Sequence, residues 1–195
     1  MSRLIGPTLS ALLLAPAGIA VLATSPSAPA LAQSVPGPTV GGKLALGHAL
    51  RGQDGKPTTL QRQAAGKPIM VVLFRSAKWC PYCQTQLKGL GDIAAQARAK
   101  GVRFVAISYD DPAVLADFAA KQNIAFPLLS DAGGAMANAW GLRDPRYPEG
   151  NFAYGVPYPT VLVLDAKGRV KAKSVETDYK KRPSTADLLA MLAKA

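Results

Sequence analysis

The sequence predicts a three-layer α/β sandwich around a mixed central sheet. Three observations carry this. Three stretches have strand length: Ile69–Phe74, a continuous apolar run, and the mainly apolar Val102–Ser108 and Thr160–Leu164. Unbroken apolar runs suit strands buried on both faces. Helix-period segments lie between them, and a turn at Asp165–Gly168 leads into a closing strand, Arg169–Val175.

The elements follow in order. Residues 33–42 are rich in Pro and Gly and read as a linker. Leu44–Leu50 and Thr58–Leu60 read as two short strands around the turn Asp54-Gly55-Lys56, an N-terminal hairpin extension. After Ile69–Phe74, Leu87, Leu90, Ile93, Ala94 and Ala97 recur at helical steps. Gly89 and Gly91 mark a bend there, and Gly101 ends the helix. Asp111-Pro112 reads as an N-cap and first-turn proline. Val114, Leu115, Phe118 and Ala119 follow as one helical face. Phe126–Leu129 is a short extended piece, and Gly134–Trp140 a short helix. Residues 143–157 form an irregular insertion. Ser184 and Asp187 fit a capping box opening the last helix. Buried strands joined by helices imply parallel pairing with right-handed crossovers. The closing hairpin adds an antiparallel edge.

Composition narrows the function classes. The chain has 195 residues, 49% apolar, with a formal charge of +11. Two Cys and one His, His48, leave little metal-binding capacity, so no metal and no bound cofactor is expected. His48 lies outside any motif and reads as a partly buried structural residue.

Residues 1–32 read as a signal peptide, with Arg3, an apolar stretch over Leu9–Ala23, and the small-x-small site Ala30-Leu31-Ala32. Cleavage after Ala32 leaves no integral membrane segment, and residues 43–195 form the folded domain. Pro and Gly interrupt the apolar stretch, against a membrane span. The expected location is periplasmic or secreted, where a Cys pair can oxidise.

The chemistry centres on Lys78-Trp79-Cys80-Pro81-Tyr82-Cys83. Cys80 directly follows a buried strand and stands at a helix start. Free amide N–H groups and the helix dipole there favour a thiolate, the nucleophile of thiol chemistry. Lys78 adds a positive charge. Pro81 fixes the first turn. Cys83 lies one turn on, within reach of Cys80 to close or resolve a disulfide. A structural clip, a zinc site and inert thiols compete with this reading. A short loop gives a clip little entropy, and zinc lacks ligands. A redox dithiol is the favoured assignment. Tyr158-Pro159-Thr160 enters the third buried strand, a position that suits proline.

From about Leu44 onward, the segments IMVVLF, KWCPYCQTQLKGL, VRFVAISYDDP, FPLLSDAGGAMANAWGL and GVPYPTVLVLDAKGRV occur in this order. With them the chain resembles the thioredoxin-like superfamily. Within it, the resemblance is to the redoxin branch of alkyl hydroperoxide reductase/thiol-specific antioxidant relatives and periplasmic thiol–disulfide oxidoreductases. WCPYC and Asp178–Ser184 (DYKKRPS) are similar to its peroxiredoxin-like members. The resemblance implies a thioredoxin fold, with Cys80 as nucleophile and Cys83 as resolving cysteine. Pro159 would be a cis-proline beside them, and Tyr158 would offer backbone groups to a bound peptide as an added strand. Trp79 would shield the site and contact partners.

The departures from the family bear on the reaction. Peroxiredoxins carry Thr or Ser three residues before the reactive Cys; here it is Ala77, with Ser76 adjacent. They also hold an Arg over the thiolate, for which Arg75 and Arg143 are candidates. Thioredoxin's buried Asp is replaced by Phe74, and the Glu of several periplasmic reductases by Gln86. No proton handler for Cys83 is visible in the sequence.

Lys167, Arg169, Lys171 and Lys173 alternate and are read as one basic face of an edge strand, followed by Lys180, Lys181 and Arg182. No groove-reading motif accompanies them, so no nucleic acid is expected. The leading expectation is an exported thiol–disulfide oxidoreductase whose partners are protein dithiols and disulfides or a thioredoxin-like electron donor. The alternatives are a thiol peroxidase acting on hydroperoxides and a non-enzymatic redoxin-fold binding module.

Overall fold

The computed structural model describes residues 35–195. The signal-peptide reading of residues 1–32 lies outside them. Thirteen elements follow in order: β1 (Leu50–Gly52), β2 (Pro57–Thr58), α1 (Leu60–Ala64), β3 (Ile69–Leu73), α2 (Pro81–Gly89), α3 (Gly91–Ala99), β4 (Arg103–Ser108), α4 (Pro112–Gln122), β5 (Leu128–Ser130), α5 (Ala135–Ala139), β6 (Thr160–Leu164), β7 (Val170–Val175) and α6 (Thr185–Leu192). The strands form one sheet in the order β2-β1-β5-β4-β3-β6-β7.

Alternation along the central strands divides the core in two. Met70, Val72, Phe74, Phe104, Ala106, Val161 and Val163 pack with α2, α3, α4 and α6. Ile69, Val71, Leu73, Val105, Ile107, Leu162 and Leu164 face the other way, against α1, α5, Trp140 and Leu142. Both faces are covered, which is why these strands read as mainly apolar runs.

β3 and β4 are parallel, as expected, and β5, read only as an extended piece, joins them in parallel. The third buried run, read as parallel too, departs from that expectation. β6 is antiparallel to β3, with Thr160 opposite Leu73. The irregular segment after α5 brings the chain back to the end of the sheet where β3 finishes, so β6 must run the other way.

The other differences are local. The N-terminal hairpin pairs Leu50 with Thr58, shifted toward the turn, and Leu60 opens a helix instead of ending a strand. Thr59 accepts the Arg62 N–H and caps that helix. The long helix is broken at Leu90 into α2 and α3, beside the glycines that predicted a bend. Asp111 stands at the N-cap of α4 without a side-chain cap bond. The Ser184–Asp187 capping box is present.

Residues 35–42 are docked on the sheet rather than forming a free linker. Gly41 N–H donates to Val170 O, and Val170 N–H donates to Gly42 O. The basic row is accordingly divided. Lys167 lies in the hairpin turn, Arg169 donates to Gly41 O, Lys173 reaches Pro36 O, and Lys171 is exposed. His48 packs edge-on against Trp140, 6.4 Å between ring centres. Among the described residues, no helix is long and apolar enough to cross a membrane, and no group of three metal-ligating side chains occurs.

Candidate redox site

β3 ends at Leu73, and the chain then passes through Arg75, Ser76 and Ala77, all buried, before α2 begins. Asp110 holds this passage in place. Its carboxylate accepts the Ser76 hydroxyl at 2.8 Å, the Ala77 N–H at 2.7 Å and the Ser108 hydroxyl at 2.9 Å. Burial pushes the Asp110 carboxyl above the ordinary carboxylate range, and these bonds act in the opposite direction. Ser76 Oγ in turn accepts the N–H groups of Lys78 and Trp79. Ser76 is therefore committed to the loop, and Ala77 offers no hydroxyl in its place.

Cys80 is the N-cap of α2 and Pro81 its first residue. Cys80 and Cys83 are joined in a disulfide. Cys80 Sγ accepts the Cys83 N–H at 3.3 Å, so the helix start points a backbone donor at the sulfur. Both cysteines are almost without solvent exposure, Cys80 at 2% and Cys83 at 0%. A cavity of about 310 Å³ reaches Cys80 and is lined by Arg75, Trp79, Tyr82, Tyr147 and Tyr179. Cys83 does not line it.

Arg75 is the central cation of this cavity. Its guanidinium lies 5.0 Å from the ring centre of Trp79, 4.9 Å from Tyr147 and 4.7 Å from Tyr179. Stacking on three rings stabilises a buried guanidinium. It donates to the Tyr147 hydroxyl, and its Nε makes no hydrogen bond. Of the two arginines named from the sequence, Arg75 is at the site; Arg143 bonds Asn138 and stacks on Tyr154. Trp79 lines the cavity, donates to the Tyr109 hydroxyl at 2.9 Å and meets Phe152 edge-on. Lys78 is exposed and does not line it.

The expectation for Pro159 needs correction. The Tyr158–Pro159 bond is trans, since the described residues contain no cis peptide bond. Nor is the backbone of Tyr158 open to a bound strand. Its N–H donates to Leu142 O, and its carbonyl accepts the Thr160 hydroxyl. Pro159 O accepts the Glu176 N–H. Leu142 before the insertion, Thr160 of β6 and Glu176 just beyond β7 occupy the groups that a peptide would need.

The sequence does not single out Asp110, Tyr147, Tyr179 or Arg182 as contributors to the site. Tyr147 comes from the insertion. Arg182 comes from the loop before α6, donating Nη2 to Cys83 Sγ at 3.1 Å and Nε to Gln86 Oε1 at 2.7 Å. The sequence marks that loop by the basic run Lys180-Lys181-Arg182 and by the similarity of DYKKRPS to peroxiredoxin-like members, and neither feature points to Cys83.

Comparisons with known proteins agree with this architecture. Residues 42–173 match the AhpC/TSA family. A chloroplastic peroxiredoxin Q of Triticum aestivum is 33% identical over 178 residues, covering 87% of this chain and 76% of that protein. The peroxiredoxin Q of Populus jackii is 33% identical over 130 residues, 67% of this chain and only 57% of its own length. Among solved structures, the peroxidoxin BcpB of Mycobacterium tuberculosis superposes with a TM-score of 0.64 at 25% identity, covering 82% of this chain and 96% of that one. A peroxiredoxin-like protein of Aquifex aeolicus gives 0.68 at 18% identity, covering 81% and 88%. That last likeness concerns the fold.

Proposed function

This chain belongs to the AhpC/TSA family, and from that membership we propose that it is a thiol peroxidase with Cys80 as the peroxidatic and Cys83 as the resolving cysteine. The Cys80 thiolate attacks one oxygen of a hydroperoxide. An S–O bond forms, the O–O bond breaks, and the alcohol leaves after taking up a proton, giving a sulfenic acid at Cys80. Cys83 then displaces the hydroxyl and closes the disulfide. An external dithiol, of the thioredoxin-like class, reduces it again.

One observation carries this reading: the Cys80 cavity has room for a small hydroperoxide and holds a guanidinium and a phenol. Arg75 and Tyr147 supply positive charge and a hydroxyl, functions for which Ala77 has no side chain. Disulfide exchange with protein partners is the second reading, favoured by a dithiol at a helix start. The occupied backbone of Tyr158 counts against strand-type docking there. Export by a leader cut after Ala32 belongs to the same proposal and is supported by the Ala30-Leu31-Ala32 pattern.

The test is rapid mixing of the reduced protein with hydrogen peroxide or an organic hydroperoxide and, separately, with a disulfide-bonded protein. Faster peroxide consumption, lost in Cys80→Ser and surviving one turnover in Cys83→Ser, is expected. Exchange with the disulfide protein outpacing peroxide would give preference to the second reading. Inertness toward both would overturn both.

A further inference from the structure

Arg182 is held by more bonds than a surface arginine needs. Nη1 donates to Tyr179 O at 2.8 Å and also to Lys181 O; Nε donates to Gln86 Oε1, and Nη2 to Cys83 Sγ. The loop before α6 and helix α2 grip the guanidinium from two sides. No ion pair with a carboxylate is formed by Arg182 or Arg75 among the described residues. The charged groups that bear on Arg182 are Arg75, Glu176 and Asp178, the last two acting from a distance. Two guanidiniums therefore flank a disulfide that carries no charge.

We infer that Arg182 holds the reduced Cys83 as a thiolate, and that this makes the buried resolving cysteine ready to attack the Cys80 sulfenic acid. A charge-assisted donor at 3.1 Å favours S⁻ over SH. Burial, with Arg75 as a second cause, lowers the Arg182 value to about 10, so the guanidinium stays charged at neutral pH. In the step itself, the Cys83 lone pair forms the S–S bond to Cys80 Sγ. The S–O bond breaks, and hydroxide leaves and is protonated to water. Deprotonation in advance removes the need for a base, and the Glu that several periplasmic reductases have beyond the second Cys is here Gln86, a neutral bracket for Arg182. The position of Cys83 outside the cavity suits this division. Cys80 meets the peroxide, and Cys83 meets only Cys80.

The role of Arg182 in condensation rests on the peroxidase reading; its effect on Cys83 ionisation does not. The first measurement is therefore the thiolate absorbance of Cys83 against pH in Cys80→Ser, with and without Arg182→Gln. The midpoint should move upward in the double variant, and Arg182→Lys should restore part of it, since it keeps the charge without the fork. An unmoved midpoint in a folded double variant overturns the inference, whatever the protein does with peroxide. The second is single-turnover oxidation of Arg182→Gln with a sulfenic-acid trap. Disulfide closure should slow about tenfold or more, the worth of a charged hydrogen bond, and trapped Cys80 sulfenic acid should accumulate. Closure at the unaltered rate overturns the condensation role.

Discussion

Asp110 holds the passage that leads from β3 to Cys80. A buried carboxylate is costly unless its oxygens are satisfied, and here three donors converge on it, two from the loop after β3 and one from the end of β4. Asp110→Ala leaves the Ser76 and Ser108 hydroxyls and the Ala77 N–H without their acceptor. A loss of about 2–4 kcal/mol is expected from such orphaned groups, read by denaturant unfolding, with slower peroxide consumption because the Cys80 approach loosens. A loss below the error of the measurement would show that water replaces the carboxylate. The pH dependence follows from the direction of the shift. The folded value of Asp110 is raised by burial above its unfolded value. Its contribution is then complete below the unfolded value and is lost as pH rises through the folded one. The stability advantage over Asp110→Asn, which does not titrate, should shrink across that window and level off above it.

At the scale of elements, the insertion between α5 and β6 is seated by a backbone contact. Gly134 has φ +70° and a Cβ there would lie 2.4 Å from Gly155 O. The αL conformation alone costs a non-glycine residue about 1–3 kcal/mol, and the clash with backbone adds to it. Gly134→Ala should lower the unfolding midpoint and displace the insertion that brings Tyr147 to Arg75. Unchanged Tyr147 environment and stability would mean that the contact is not tight. At the other end, the Ser184–Asp187 box opens α6 and orients the loop carrying Arg182. Ser184→Ala should cost about 1 kcal/mol. Hydrogen bonds from Ser184 hold the Asp187 carboxyl below its ordinary value. Its help is present above the unfolded value and is lost as pH falls through the folded one.

For the whole molecule, the two-sided core sets stability. Leu162 is fully buried on the face shared with α1 and α5. Leu162→Ala should cost about 2–5 kcal/mol, measurable by calorimetry. A cost under 1 kcal/mol would show that this thinner layer collapses into the cavity.

Much of this was legible in the chain itself. Ile69–Phe74 and Thr160–Leu164 declare strands covered on both sides, because an apolar run without alternation has no wet face. Gly89 and Gly91 announce the break between α2 and α3. The helix-start dithiol follows from local order alone: strand, Trp79-Cys80, Pro81, helix. These are short-range effects, and short-range effects leave periodic marks. What only the tertiary structure decided is which distant groups meet the sulfurs. Arg182 stands 99 residues from the Cys83 it bonds, and Tyr147 stands 72 from Arg75. The direction of β6 and the closed backbone of Tyr158 likewise depend on where the insertion returns the chain. No local pattern encodes these contacts, since a lone arginine or tyrosine in a polar loop has the same sequence signature whether it is solvated or packed against a cysteine.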